Sequence, residues 1–321
     1  MISVELKAAN RAIVDLYLNQ EYWQPDYNRL FAEDFVLDLP SAPPGMPQHL
    51  DAFDARQYRQ WLSRTVTHYQ SDVQEVYGTP DPNLFWAVRE VRCDVTWGRS
   101  PGQFASRIFS RIELRDGKLS YIKNNWNPLA FLYAVHAQVP IFRMDLEDPR
   151  LDEFIRTHPA AAPAPEQQLD SSPEAVRRRI QNNLDAFRCG DYFYALEHIA
   201  TFAPNHDSKV WFLPPEMKES YPPEMMERVE AWTSVSCPKI DFDPAGEYWA
   251  TDDPHVYFCE YMCWGDVDWV GNNTPGHYRN RYFYILRFDD LGRIACCEEV
   301  LNPINKFNSI GVSIPSFPYY F

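Results

Sequence analysis

Glu299 and Tyr278 are the residues whose types and spacing could do chemistry. They lie 21 positions apart on two segments that alternate as strands, Tyr278–Phe288 and Ile294–Leu301, joined by the turn signal Asp289-Asp290-Leu291-Gly292. Strand alternation puts Tyr278, Asn280, Tyr282, Tyr284, Leu286 and Phe288 on one face and Arg279, Arg281, Phe283, Ile285 and Arg287 on the other. With the turn centred near Asp290-Leu291, Tyr282 falls opposite Glu299, and Tyr278 sits further along the same face. The aromatic face is expected to line a cavity. A carboxylate in such a cavity has its charged form penalised, so its pKa rises and it exchanges protons near neutrality. Positioned acid–base catalysis of this kind is worth ~10²–10⁴-fold. A neighbouring phenol can donate to an oxygen on which negative charge develops. Alternation leaves other placements open: Glu299 turned to solvent with Glu298 inward, or Glu299 paired with a strand arginine.

The elements that must position this pair occur twice. Thr79-Pro80-Asp81-Pro82-Asn83 has its counterpart in Thr251-Asp252-Asp253-Pro254-His255, 172 positions on. Pro101-Gly102-Gln103-Phe104 returns as Pro275-Gly276-His277-Tyr278, offset 174; Asn127-Pro128 and Val139-Pro140-Ile141-Phe142 return as Asn302-Pro303 and Ile314-Pro315-Ser316-Phe317, offset 175. Ordered anchors with a slowly drifting offset mark a tandem duplication. Each copy opens with helical periodicity: Ala9, Ala12, Ile13, Leu16 and Tyr17 in the first, Val176, Ile180, Leu184 and Phe187 in the second, stopped at Gly190. A further helix in each copy carries Trp61 or Trp232, and strands follow. Helices before an antiparallel meander predict an α+β fold: two cones, each with helices packed on a curved antiparallel sheet. The domains read as 1–142, a Pro/Ala-rich extended linker at 143–172, and 173–321. In the first copy Phe104 and Asn124 stand where the second has Tyr278 and Glu299, so its site is expected to be degenerate.

Composition narrows the function. A net charge of −15, from 45 acidic and 30 basic residues, argues against nucleic acid or an anionic membrane surface as partner. Seven cysteines without a Cys-x-x-Cys, and eight histidines without ligand spacing, give no reason to expect a metal. No stretch of ~18 apolar residues and no signal-peptide core are seen, so a cytoplasmic protein is expected. Ten Trp, nineteen Tyr and twenty Phe suit an apolar cavity for a small molecule.

The motifs Trp249-Ala250-Thr251-Asp252-Asp253-Pro254-His255, Pro275-Gly276-His277-Tyr278-Arg279-Asn280, Glu299-Val300-Leu301-Asn302 and Ile310-Gly311-Val312-Ser313-Ile314-Pro315 resemble the phenazine biosynthesis protein A/B family, of the SnoaL-like, NTF2-like and ketosteroid-isomerase-like superfamily. The resemblance implies single-domain homodimers that condense amino-ketones without metal or cofactor. It puts the family's catalytic Glu on Glu299 and its pocket Tyr on Tyr278. A helix-borne Ser and His flanking a Trp fall on Thr233 and Val229 around Trp232, and an arginine falls near His198. Valine at 229 removes an acid–base group, so the family's own reaction is not carried over. The implied assignment is Glu299, Tyr278 and Thr233 as catalytic, with Trp232, Tyr282, Val229 and His198 binding substrate. The duplication would make an intrachain pseudo-dimer, with further oligomerisation left open and each closing segment lying either on the other copy or on its own. The expected activity is cofactor-free condensation, cyclisation, dehydration or isomerisation of a small biosynthetic ketone or imine. The competing expectation is a non-catalytic binding or scaffold protein.

Overall fold

The repeat of motifs becomes a repeat of sheets. The computed structural model describes residues 2–158, 168–188, 201–243 and 246–319. The first copy runs α1 (Ile2–Asn19), a 3-10 turn (Pro25–Leu30), β1 (Phe31–Asp38), β2 (His49–Leu50), α2 (Ala52–Thr65), β3 (Val66–Gly78), β4 (Leu84–Val95), β5 (Gly102–Arg115), β6 (Lys118–Trp126) and α3 (Pro128–Ala134). Its sheet has the order β2-β1-β6-β5-β4-β3. The second copy has α4 (Pro149–Thr157), α5 (Pro173–Arg188), β7 (Phe202–Trp211), α6 (Pro223–Ser236), β8 (Lys239–Phe242), β9 (Glu247–Ala250), β10 (Val256–Asp268), β11 (Pro275–Phe288), β12 (Ile294–Val300) and α7 (Ile304–Ser309). Its sheet order is β7-β12-β11-β10-β8, with β9 also on β10. Each copy is thus an α+β cone of helices on a curved sheet. Among the described residues no helix is long and apolar enough to cross a membrane.

Each sheet includes a strand that alternation in the sequence does not announce. β1 runs parallel to β6, and β7 parallel to β12, while the other pairings are antiparallel. The segment Phe202-Ala203-Pro204-Asn205-His206-Asp207 looks like a loop, and only an edge position tolerates its proline and polar run. The stripe on α1 also differs from the expectation. Asn10, Val14, Tyr17 and Leu18 are buried, whereas Ala9, Ala12 and Leu16 face outward. The rotation follows from Asn10, whose Nδ2 donates to Pro82 O at 3.1 Å and Asn83 Oδ1 at 3.0 Å. A polar residue that fastens the β3–β4 turn occupies the inward face. On α5, Val176, Ile180 and Leu184 are buried as expected; the Phe187 side chain, Gly190 and His198 lie outside the described residues.

The repeated motifs have structural reasons. Thr79 and Thr251 each bond the backbone of an aspartate two positions on, Asp81 or Asp253, building the same turn before β4 and β10. Gly102 and Gly276 lie where a helix end rests on β5 or β11. A Cβ there would come within 1.9 Å of Ala134 O and 1.5 Å of Ser309 O, so only glycine fits. Asn127 and Asn302 accept from Leu129 N and Ile304 N at the start of the short helices, with Pro128 in the first turn of one and Pro303 just before the other.

The two compact units do not coincide with the linear halves. One comprises Met1–Val139 with Ile314–Phe321, the other Pro140–Ser313. The closing segment of each copy therefore belongs to the unit built on the other. Phe317 packs in the first unit on Trp61, Trp97 and Phe131 at 5.4–6.1 Å between ring centroids. Phe142 packs in the second on Trp269 and Phe307 at 5.6 and 5.8 Å. The expected extended linker includes a helix instead: α4, capped by Asp148 and starting at Pro149, buries Leu151. Phe317→Ala is expected to cost about 3–5 kcal/mol. The loss should appear in the unfolding of residues 1–139, followed by hydrogen exchange, although the substitution lies at the other end of the chain. Exchange in β5 and β6 that stays unchanged would contradict this packing role.

Candidate functional site

β11 and β12 pair in a register two residues away from the expected one. Tyr284, not Tyr282, lies opposite Glu299. The turn is wider, with Asp289 N bonded to Arg293 O and Gly292 at φ +77°, and a bulge at Ala295 adds the extra step. A slip of two preserves parity, so Tyr278, Tyr282, Tyr284 and Glu299 still share one face.

That face opens into a cavity of about 220 Å³ in the second unit. Glu299, Tyr278, Tyr282, Thr233, Trp232 and Val229 all line it. His198 lies outside the described residues. The neighbouring carboxylate resolves the ambiguity of alternation. Glu298 points the other way, accepts from Trp211 Nε1 at 2.7 Å and pairs with Arg287 at 2.5 Å. Glu299 makes no ion pair or hydrogen bond among the described residues. Removal from water pushes its pKa up to about 7, against a smaller downward pull from the Lys306 ammonium.

The phenols form a relay. Asn280 Nδ2 donates to Tyr278 Oη at 2.7 Å, and Tyr278 Oη lies 2.9 Å from Tyr282 Oη. Tyr278 is fully buried with its oxygen occupied in this way, while Tyr282 remains partly open to the cavity. Tyr278 can give its proton to Tyr282, leaving the Tyr282 proton for a ligand. Burial pushes both phenols well above their ordinary pKa, so each stays protonated at neutral pH. The Thr233 hydroxyl donates to Val229 O at 3.1 Å, so it presents a lone pair to the cavity. Trp232 stacks on Trp269 at 5.4 Å, its Nε1 held by Val270 O at 2.9 Å.

Two cavity residues escaped the sequence reading. Glu230, on α6, also has its pKa raised to about 7, by burial and then by Glu227. Lys306, on α7, is 5 % exposed and holds Nζ 4.0 Å from the centre of the Trp269 ring. A signal for Lys306 was present in the repeat itself: offset 175 sets it against Phe131, and a lysine at a core position of the other copy marks an altered cavity. The cavity thiols are poor nucleophiles by contrast, since burial pushes Cys237 up to about 12 and Cys263 higher still.

The first unit shows what the same frame does without these groups. Its corresponding hollow is about 40 Å³. Asn124, in place of Glu299, accepts from Ser110 at 2.7 Å and donates to Tyr17 at 3.2 Å. Phe131 stacks on Trp97 at 5.0 Å with the rings 8° from parallel, and Phe104 packs on both.

The second copy is thus an α+β cone around an aromatic cavity. The family described as Phenazine biosynthesis protein A/B matches residues 2–146, the first copy and the few residues after it. An uncharacterized PhzA/B-like protein of Pseudomonas aeruginosa is 33% identical over 110 residues, covering 33% of this chain and 74% of that protein. Phenazine biosynthesis protein PhzA2 of the same organism is 25% identical over 150 residues, covering 44% and 90%. The crystal structure of the phenazine biosynthesis-related protein PhzB2 from P. aeruginosa aligns at 24% identity, with a TM-score of 0.40, over 44% of this chain and 95% of that one. This chain belongs to the phenazine biosynthesis protein A/B family.

Glu299 binds its proton more tightly folded than unfolded, so its contribution to stability falls as pH rises from about 4.5 to about 7. Glu299→Gln, which removes the charge and keeps the shape, is expected to stabilise the second unit by about 1–3 kcal/mol at pH 8. At pH 4 it should be neutral. Denaturant unfolding at the two pH values checks this; equal effects at both would contradict it.

Proposed function

We propose that the cavity of the second unit is a cofactor-free acid–base active site of secondary metabolism. It would act on a small cyclic ketone, imine or enol in a condensation, cyclisation, dehydration or isomerisation. The observation that carries this reading is the contrast between adjacent glutamates. Glu298 is held to Arg287 and is a structural ion, whereas Glu299 faces the cavity with no ion pair or hydrogen bond among the described residues and its pKa pushed up to about 7. A carboxyl poised there can take a proton from carbon or nitrogen and return it to oxygen without a large cost in either direction.

The other groups have distinct parts in this reading. Tyr282 donates to the ligand oxygen as charge develops, and Tyr278, held by Asn280, positions that phenol and supplies the relay behind it. Thr233 accepts from a ligand N–H or O–H. The faces of Trp232 and Tyr282 give a flat ligand somewhere to stack, and Val229 closes the wall where the family carries histidine. The first unit carries a degenerate site in this reading, since Asn124 cannot exchange a proton at neutral pH.

Glu299→Gln is expected to lower turnover by at least ~10²-fold with the fold and ligand affinity retained. Wild-type turnover in that variant refutes the assignment. Tyr282→Phe should lower kcat more than Tyr278→Phe, because Tyr282 touches the ligand and Tyr278 acts through it. Steady-state kinetics of the two variants check the order; the reverse order would return the donor role to Tyr278.

A further inference from the structure

Lys306 is an amine without a structural task. Its side chain is 95 % withdrawn from solvent yet lines the cavity, and among the described residues Nζ makes no ion pair and no hydrogen bond. Its surroundings are ring faces: Trp269 at 4.0 Å from Nζ, Tyr278 at 5.4 Å, Trp232 at 5.8 Å and Phe142 at 5.9 Å. Rings of this kind attract an ammonium, but they replace its hydration only in part. The fold does not require a cation here, because Phe131 fills the corresponding place in the first unit by stacking on Trp97.

The backbone around Lys306 is held tightly. Asn280 Nδ2 donates to Asn302 O at 3.0 Å, and Asn280 Oδ1 accepts from Asn302 N at 3.3 Å and Asn305 Nδ2 at 3.1 Å. Ser309 Oγ accepts from Trp269 Nε1 at 2.8 Å and donates to Lys306 O at 2.6 Å. The same asparagine that orients Tyr278 thus fixes the start of α7, and the same tryptophan that faces Nζ is tied to its end. Such fixation suits a group that must meet a ligand atom in one direction.

We propose that Lys306 is a nucleophile that forms a Schiff base with a ketone or aldehyde ligand in this cavity. The neutral amine attacks the carbonyl carbon, forming a C–N bond while the carbonyl π pair moves to oxygen. That oxygen takes the proton of the Glu299 carboxyl group, and the carboxylate recovers one from the new C–N nitrogen. The restored carboxyl protonates the carbinolamine hydroxyl, which departs as water and leaves a protonated imine beside the Glu299 carboxylate. Atoms and charge balance with no other reactant. Desolvation lowers the Lys306 pKa, opposed by the nearby Cys237, Glu299 and Cys263, which favours the neutral amine the step needs. The imine is a stronger electron sink than the ketone, so carbon-acid chemistry and exchange with an incoming amine both become easier.

The test is reductive trapping of the full-length protein with cyclohexanone and sodium cyanoborohydride at neutral pH, followed by peptide mapping. The expected result is a mass gain at Lys306 equal to the ketone less its oxygen, at a rate roughly tenfold or more above any other lysine. Lys306→Met should lose that label and keep the background labelling. Labelling spread over surface lysines with none at Lys306 overturns the proposal, as does selective labelling that persists elsewhere in Lys306→Met. The outcome separates from the acid–base reading: loss of turnover in Glu299→Gln with no Lys306 adduct in the wild type removes the amine and leaves the carboxyl. A Lys306 adduct together with full turnover in Glu299→Gln does the opposite.

Discussion

A half-buried carboxyl group, partly desolvated and without an ion pair among the described residues, is the constraint on which the second unit depends. Desolvation favours the protonated form, and the elements around Glu299 are arranged so that nothing cancels this. The strand arginine that could have neutralised it, Arg287, is taken by Glu298 on the opposite face. Lys306, on α7, is itself desolvated and only partly offsets the shift. The sheet contributes direction rather than charge, since strand parity alone decides which of two consecutive glutamates enters the hollow.

The duplication gives this constraint its scale. Both units share the glycine that lets a short helix rest on a strand, the Asn-Pro pair at its start, and a closing phenylalanine on a buried tryptophan. The frame is therefore indifferent to what fills it. With Asn124, Phe104 and Phe131 the hollow shrinks to about 40 Å³; with Glu299, Tyr278 and Lys306 it stays at about 220 Å³. Titratable groups left unpaired in a cavity cost stability, and the first unit, with neither the carboxyl nor the amine at these positions, closes its hollow further. The exchange of closing segments ties each unit to the far end of the other copy's sequence, so neither linear half is the folding unit.

Much of this was legible in the residues, for identifiable reasons. The shared face of Tyr278 and Glu299 was readable because a period of two survives a register slip of two; Ala295 and the wide turn moved the partner from Tyr282 to Tyr284 without moving any side chain to the other face. The inward face of α1 was misread because hydrophobicity marks Leu16, whereas the fold buries Asn10 to hold a turn 72 residues away. β7 was hidden by Pro204 and its polar neighbours, which an edge strand accommodates and a central one does not. Lys306 and Glu230 were missed because single residues show no periodicity, and burial of a charged side chain is decided by elements far apart in the chain. The roles of Tyr278 and Tyr282 depended on a bond between their hydroxyls that spacing alone does not disclose.

The central claim is the proton on Glu299, and it can be observed directly. A pH titration of the protein carrying ¹³C-labelled glutamate carboxyls, compared with Glu299→Gln, isolates that resonance. The account predicts a carboxyl titrating at about 7 that is absent from the variant. A Glu299 carboxyl that titrates in the ordinary acidic range, near 4.5, would contradict it.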